Sequence, residues 1–208
     1  MKTITSFGIA AIVLAAAAGS ALASSDGQIT ISKIRYAGTG CPSDVLDSAI
    51  VELAPDGKAF TVIYSSFVAE AGPGIPASSS RRNCQLNLTV FVPGGFTFAI
   101  ASVDYRGYYD LAGGGKGTQK AIYYFQGQAP QATTDKVFTG PGTSDWHVRE
   151  DVAAAALVWQ PCGVDRSLNI NNTIRVQTPS GTSSFIAQDS TDGQINTIVH
   201  FEIAPCHP

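Results

Sequence analysis

Apolar and polar residues alternate along much of this chain, in short runs separated by glycine, proline and aspartate. The clearest run begins at Cys84, after which even-numbered positions are apolar and odd-numbered ones polar as far as Thr89. A period of two predicts a strand with one buried face. Pro93-Gly94-Gly95 then favours a tight turn, and alternation resumes at Phe96. Residues 84–111 are therefore predicted to form a central hairpin.

Several other segments show the same period. Residues 49–54 and 59–68 are predicted to form a hairpin, because the sequence Pro55-Asp56-Gly57-Lys58 between them strongly favours a turn. In the first predicted strand, residues 28–37, the alternation changes phase near Lys33, which indicates a β-bulge. Further strands are predicted at residues 119–128, 168–177, 182–188 and 195–203, with Asp192-Gly193 as the last turn.

Two long segments lack this alternation and are predicted to be irregular, residues 71–82 and residues 129–151. Residues 152–159 are apolar enough for a buried strand, although their four alanines would also suit a helix. Short strands between turn sequences, without an internal repeat or linker, predict an all-β fold. We expect a single-domain antiparallel β-sandwich of the jelly-roll or Greek-key kind.

The first residues have the features of an export signal. Lys2 precedes an apolar run at residues 7–18, and Ala21-Leu22-Ala23 matches the small-x-small pattern of a cleavage site. We predict a signal peptide at residues 1–23 and a secreted domain at residues 24–208, extracellular or associated with the cell wall. The alternative is a retained anchor, but the run is shorter than the roughly 20 residues of a membrane span.

The net charge and the sequence motifs restrict the classes of partner expected for this protein. The formal net charge is -3, and loss of Lys2 with the signal peptide makes it -4. This mild acidity argues against nucleic acid and anionic membrane surfaces as partners. The glycine-rich segment before Lys116 lacks the serine or threonine and the following helix of a phosphate-binding loop. We expect a monomer without a cofactor.

Four cysteines in an exported chain imply two disulfides. Their wide spacing, with no Cys-x-x-Cys, makes a zinc site improbable, and no metal is expected. Four cysteines allow three pairings. The favoured one is Cys84–Cys162 with Cys41–Cys206, because Cys84 opens one predicted strand and Cys162 closes another.

Two sequons, Asn87-Leu88-Thr89 and Asn171-Asn172-Thr173, predict N-glycosylation at Asn87 and Asn171. Both asparagines fall on the polar phase of their predicted strands. Both side chains should therefore point to solvent if the alternation holds.

The densest cluster of polar and aromatic residues runs from Asp104 to Asp110. On a strand, the side chains of Asp104 and Arg106 share one side and lie close enough to pair. Aromatic faces beside hydrogen-bonding groups suit a carbohydrate. Trp146, in a predicted loop near His147 and Arg149, marks a second candidate spot. The candidate binding residues are Asp104, Tyr105, Arg106, Tyr108, Tyr109 and Trp146. The alternative is that the tyrosines only cover the core.

Signals for catalysis are weak. Serines and three histidines are present, but no Gly-x-Ser-x-Gly marks a nucleophile. Paired carboxylates for glycoside hydrolysis would have to come from few acids, without a motif. The candidates for such a pair are Asp104, Asp110, Glu150 and Asp151.

Six ordered motifs give the chain a resemblance to the secreted family known as domain of unknown function 4360, found in fungi and bacteria. They are Gly38-Thr39-Gly40-Cys41-Pro42, Ala54-Pro55-Asp56-Gly57, Arg82-Asn83-Cys84-Gln85-Leu86, Pro93-Gly94-Gly95-Phe96, Asp104-Tyr105-Arg106-Gly107-Tyr108, and Trp159-Gln160-Pro161-Cys162-Gly163 followed by Leu168-Asn169-Ile170-Asn171. The resemblance implies export and a compact domain, and it transfers no catalytic residues.

The sequence therefore favours a non-catalytic secreted protein that binds a glycan, a cell-wall component or an extracellular protein of a host through the segment 104–110. A secreted effector would be one biological form of this class. The alternative is an extracellular enzyme acting on a polymer such as a polysaccharide. A secreted structural protein without a specific ligand is a third hypothesis.

Overall fold

The computed structural model describes residues 29–128, 132–153, 157–164, 166–188 and 197–206. The predicted signal peptide, the turn at Asp192-Gly193 and His207 lie outside the described residues. Within those ranges the chain forms one 3-10 turn, Ala77–Ser80, and the following strands: β1 Thr30–Ala37, β2 Ala49–Leu53, β3 Ala59–Tyr64, β4 Val68–Ala71, β5 Arg81–Phe91, β6 Phe96–Leu111, β7 Lys116–Phe125, β8 Ala132–Thr139, β9 Gly142–Asp151, β10 Ser167–Gln177, β11 Ser184–Ala187 and β12 Thr197–Pro205.

The strands form two antiparallel sheets packed face to face, which confirms the predicted β-sandwich. Sheet I has the order β1-β5-β10-β7-β8. Sheet II has the order β2-β3-β12-β6-β11-β4, and β9 pairs with the other edge of β6. β6 is the longest strand, at 16 residues, and three strands share its length.

Alternation along the strands separates the core from the two outer faces. Cys84, Leu86, Leu88 and Val90 of β5 are buried, while the side chains between them are half-buried or exposed. On β3, the residues predicted to share one face, Phe60, Val62 and Tyr64, are all buried. These inner faces meet in aromatic contacts such as Phe98 with Phe125, whose ring centroids lie 5.3 Å apart.

The predicted hairpin at residues 84–111 is wrong. β5 and β6 are both long strands, but β5 belongs to sheet I and β6 to sheet II. The turn after β5 therefore carries the chain from one sheet to the other. A hairpin and such an arch bury the same alternate side chains, so the period of two does not distinguish them.

Other local predictions are confirmed or corrected strand by strand. β2 and β3 form the predicted hairpin. The register of β1 against β5 shifts between Ile31 and Lys33, which confirms the bulge. Residues 129–151 are not irregular in their described part, since β8 and β9 occupy most of them. Of the strand predicted at residues 152–159, the described part shows only a single bridge from Trp159 to Ala99.

Two disulfides are present, but the favoured pairing is wrong. Cys41 bonds to Cys84, and Cys162 bonds to Cys206. The chain continues past the end of β1 alongside the start of β5, where Gly40 N–H donates to the Asn83 carbonyl. This backbone contact between the two segments brings Cys41 close to Cys84. Cys162 and Cys206 instead meet beyond the start of β6, which lies between β12 and the segment containing Trp159.

Candidate functional site

The outer face of sheet II carries polar and aromatic side chains in cross-strand rows. In three adjacent rows, His200 lies opposite Ser102 and Asp151, Asp104 opposite Arg149, and Arg106 opposite His147. Two further rows bring Tyr108 and Phe185 onto the same face. We call this surface the Asp104 face; it comprises Asp104, Arg106, Tyr108, His147, Arg149, Phe185 and His200.

Asp104 is the centre of this face. Its side chain is only 9% exposed, while those of His147 and His200 are 51% and 39% exposed. Nε2 of His147 lies 2.8 Å from Oδ1 of Asp104, and Nε2 of His200 lies 3.2 Å from Oδ2. A single buried carboxylate therefore holds two imidazoles whose outer edges face solvent.

Arg149 completes the cluster. Its Nη1 donates to Asp104 Oδ2 at 2.8 Å and its Nη2 to Ser102 Oγ at 2.9 Å. Its Nε donates to Asp151 Oδ1 at 3.0 Å. Three donors on one planar group are thereby used, so the guanidinium is held in a fixed plane.

Asp104 remains ionised because of these partners. Burial alone would raise the pKa of Asp104, but the hydrogen bond from His147, the Arg149 charge and the hydrogen bond from His200 together lower that pKa below its ordinary value. An ionised carboxylate only accepts hydrogen bonds, so both imidazoles present Nε2–H to it. Their Nδ1 atoms are left as acceptors in the neutral ring and as donors in the charged ring.

Aromatic side chains extend the face beyond this cluster. The rings of Tyr108 and Phe185 have centroids 5.7 Å apart and are tilted by 34°. Both side chains are half-buried, and exposed Arg106 lies one row away on β6. The predicted pair between Asp104 and Arg106 is not formed; Asp104 bonds to residues of β9 and β12 instead.

Three of the six candidate binding residues lie on the opposite side of β6 and β9. Tyr105 is fully buried in the core. Trp146 is not in an exposed loop but on β9, only 6% exposed, and its ring packs against Phe138, 5.2 Å between centroids. Tyr109 is half-buried against the same Phe138. Only Asp104, Arg106 and Tyr108 share the outer face.

The residues of the sequence motifs therefore lie in one β-sandwich in the structure. Over residues 27–206 the chain matches the family described as Domain of unknown function (DUF4360). The chain belongs to the DUF4360 family. The resemblance drawn from the six motifs is confirmed.

A relative of this DUF4360 chain comes from the fungus Arthroderma benhamiae (strain ATCC MYA-4681 / CBS 112371) and is named as an uncharacterized secreted protein. The two are 38% identical over 180 residues, which cover 86% of this chain and 72% of the relative. The predicted location is confirmed: the protein is secreted.

Among solved structures, a similar chain is TmCBM61 in complex with beta-1,4-galactotriose. It is 13% identical, the match covers 86% of this chain and 92% of that one, and the TM-score is 0.26. At this TM-score, nothing about the ligand of the DUF4360 chain follows from the likeness.

Sequence reasoning missed the role of β12 in the Asp104 face of this DUF4360 protein. His200 is far from Asp104 in sequence, at a separation of 96 residues, and only the register of β12 on β6 brings them together. The sequence marks His147 and Arg149 only as neighbours of Trp146. A useful signal was their alternation with Trp146 and Val148, which indicates a strand with a polar outer phase.

The two sequon asparagines lie on neighbouring strands of sheet I, away from the Asp104 face. Asn87 and Asn171 are both half-buried on the outer phase of β5 and β10. The Asn87 Nδ2 group donates to Asn169 Oδ1 at 2.9 Å. Glycosylation at these positions stays a prediction.

Two further properties concern the described ranges only. Their histidine, cysteine, aspartate and glutamate side chains include no group of three or more arranged to hold a metal ion. No helix in the same ranges has the length and apolar character needed to cross a membrane.

Proposed function

We propose that this secreted protein is a binding module for an extracellular glycan and that the glycan lies on the Asp104 face. The observation that carries this proposal is the set of exposed nitrogen groups locked around one ionised, buried carboxylate beside a stacked aromatic pair. Sugars present hydroxyl groups together with apolar C–H faces, and both kinds of partner are available here.

Preorganisation favours binding at this face. Side chains that must be ordered on binding cost about 0.5–1.5 kcal/mol each. His147, Arg149 and His200 are already hydrogen-bonded to Asp104, so part of this cost is met during folding. The outward Nδ1 atoms and the exposed Arg106 offer hydrogen bonds of both polarities.

The charges on this face favour a neutral or weakly charged polymer. Asp104 and Asp151 both pair with Arg149, so most of the charge is balanced internally. A strongly anionic ligand would meet the exposed carboxylate of Asp151. A hydroxyl-rich ligand would use the same groups as donors and acceptors without a large electrostatic penalty.

The alternative, an enzyme with a carboxylate pair, is less well supported by the geometry. A glycosidase needs one carboxylic acid whose pKa is raised so that it can donate a proton. Asp104 has a lowered pKa, and Asp151 is exposed and paired with the same arginine as Asp104. The partners of the two carboxylates thus favour binding over acid catalysis.

A glycan array tests the proposal with matched variants. The double variant Arg106→Ala/Tyr108→Ala removes an exposed cation and a half-buried ring from the Asp104 face without touching the Asp104 hydrogen bonds. The control, Arg35→Ala/Tyr124→Ala, makes the same two changes on the outer face of sheet I. We expect saturable binding to an extracellular glycan that the first variant loses and the control keeps.

Two other outcomes would contradict the proposal. Loss of binding in the control variant alone would place the glycan on sheet I and contradict the proposed site. Absence of binding by the unaltered protein would contradict the glycan proposal and favour a protein partner or a structural role.

A further inference from the structure

A cleft lies at one end of the sandwich, beside the Cys41–Cys84 disulfide. It has a volume of about 540 Å³ and is bounded by the loop before β2, the turn between β3 and β4, and the start of β5. Its volume falls within the roughly 300–1,000 Å³ of small-molecule sites. None of its lining residues belongs to the Asp104 face.

Arg82 forms one wall of this cleft from an unusual position. It occupies the same inward phase of β5 as Cys84 and Leu86 and is half-buried. Inward-facing arginines are rare unless a carboxylate pairs with them. Arg82 instead donates to two uncharged acceptors, the Val68 carbonyl at 3.2 Å and Ser79 Oγ at 3.4 Å.

The charge of Arg82 therefore has no carboxylate partner in the part of the chain that the structure describes. Its two hydrogen bonds use Nε and one hydrogen of Nη2. Nη1 and the second hydrogen of Nη2 make no hydrogen bond to any described residue, and adjacent guanidinium N–H groups can donate two parallel hydrogen bonds to a carboxylate.

Other lining residues add polar groups without a partner among the described residues. Glu70 is exposed on β4 and makes no ion pair with any described residue. Ser65 and Ser66 line the same cleft with exposed side chains. Val45 and Pro42 add apolar surface to the lining of the cleft.

We propose that this cleft is a second binding site, for a small polar molecule that carries a carboxylate. The carboxylate bonds to the Nη1–Nη2 end of Arg82. The serine hydroxyls exchange hydrogen bonds with hydroxyl groups on the rest of the molecule, and Glu70 accepts hydrogen bonds from its hydroxyl or ammonium groups. Sugar acids and free amino acids both carry a carboxylate beside other polar groups. An ammonium group beside Glu70 would distinguish an amino acid from a sugar acid.

NMR titration of the full secreted protein with three probes tests this site: galacturonate, alanine and neutral galactose. We expect saturable shifts of backbone amide signals at residues 39–48 and 65–70 with at least one of the two carboxylates, and none there with galactose. Stronger binding of alanine would identify an amino acid, and stronger binding of galacturonate a sugar acid. Absence of saturable shifts with both carboxylates would overturn the proposal.

Variants identify the anchoring group. Arg82→Gln should lower the affinity at least tenfold, whereas Arg81→Gln, the same change at an exposed neighbour, should leave it unaltered. Because Arg82 also supports β4, Ser66→Trp is a second test that fills the cleft from an exposed position and leaves Arg82 in place. Binding that survives both Arg82→Gln and Ser66→Trp would contradict the assignment.

Discussion

Asp104 and His147 lie on neighbouring strands of one sheet face, with His147 Nε2 2.8 Å from Asp104 Oδ1. The carboxylate is shielded by its own partners, while the ring that it holds is half exposed. Asp104 is therefore a positioning residue in the proposed site, and its partners carry the groups that would meet a ligand. Substitutions at Asp104 and at its partners should consequently have different effects.

Replacing Asp104 by asparagine should destabilise the fold and disorder the proposed site. The neutral amide loses its attraction to Arg149, and Nδ2 faces donors rather than acceptors. We expect a loss of about 1–3 kcal/mol in the free energy of unfolding, measured by urea denaturation. Asp145→Asn on β9, which makes the same change at an exposed position, should alter it little. Equal losses in both variants would mean that net charge alone is responsible.

The lowered pKa of Asp104 predicts an acid limb in stability. A carboxylate whose pKa is lower in the folded state stabilises the fold above its unfolded pKa, near 3.9, and the stabilisation is lost as the pH falls through the folded value. The difference in unfolding free energy between the unaltered protein and Asp104→Asn should therefore shrink as the pH falls below about 4. A difference that stays constant at pH 2–3 would contradict the lowered pKa.

The alternation of side chains predicts much of the fold, but it does not predict which strands pair with each other. The pattern identifies β5 and β6 and the side chains that each strand buries, because the alternation within a strand shows which of its faces is apolar. Assignment to a sheet depends on which strand lies alongside, and the turn at residues 93–95 suits either connection. The same limit explains the disulfides: the pairing follows from the neighbours of β5 and β6 in each sheet.

The candidate site was recoverable only in part, for the same reason. Asp104, Arg106 and Tyr108 are correctly placed on one face by their spacing on a single strand. The sequence wrongly predicts a loop at Trp146, because β9 contains few apolar residues and its alternation is therefore weak. His200 enters the cluster through strand register alone, and no local pattern encodes that register.

Peptide mapping of the protein without reduction should recover Cys41 linked to Cys84 and Cys162 linked to Cys206. The two bonds close loops of similar length, with separations of 43 and 44 residues. In the chain-entropy model each should contribute between about 3 and 4.7 kcal/mol. Removing either pair by Cys→Ser double substitution should lower the melting temperature, and removing Cys41–Cys84 should lower it more, because both of these cysteines are fully buried. A peptide containing Cys84 linked to Cys162 would contradict the register of sheet I.

Gly107 should be intolerant of a side chain because β9 and β11 approach it closely. A methyl group at this position would meet the Trp146 ring and the Ala187 carbonyl oxygen. Gly107→Ala should therefore shift Trp146 and lower the free energy of unfolding by roughly 1–3 kcal/mol, with a change in the tryptophan emission of the folded protein. Gly113→Ala is the matched control, since nothing lies within 4 Å of its added carbon. Equal stability of Gly107→Ala and Gly113→Ala would mean that Trp146 does not pack over Gly107. The polar side chains of β9 would then lack the support that orients them on the Asp104 face.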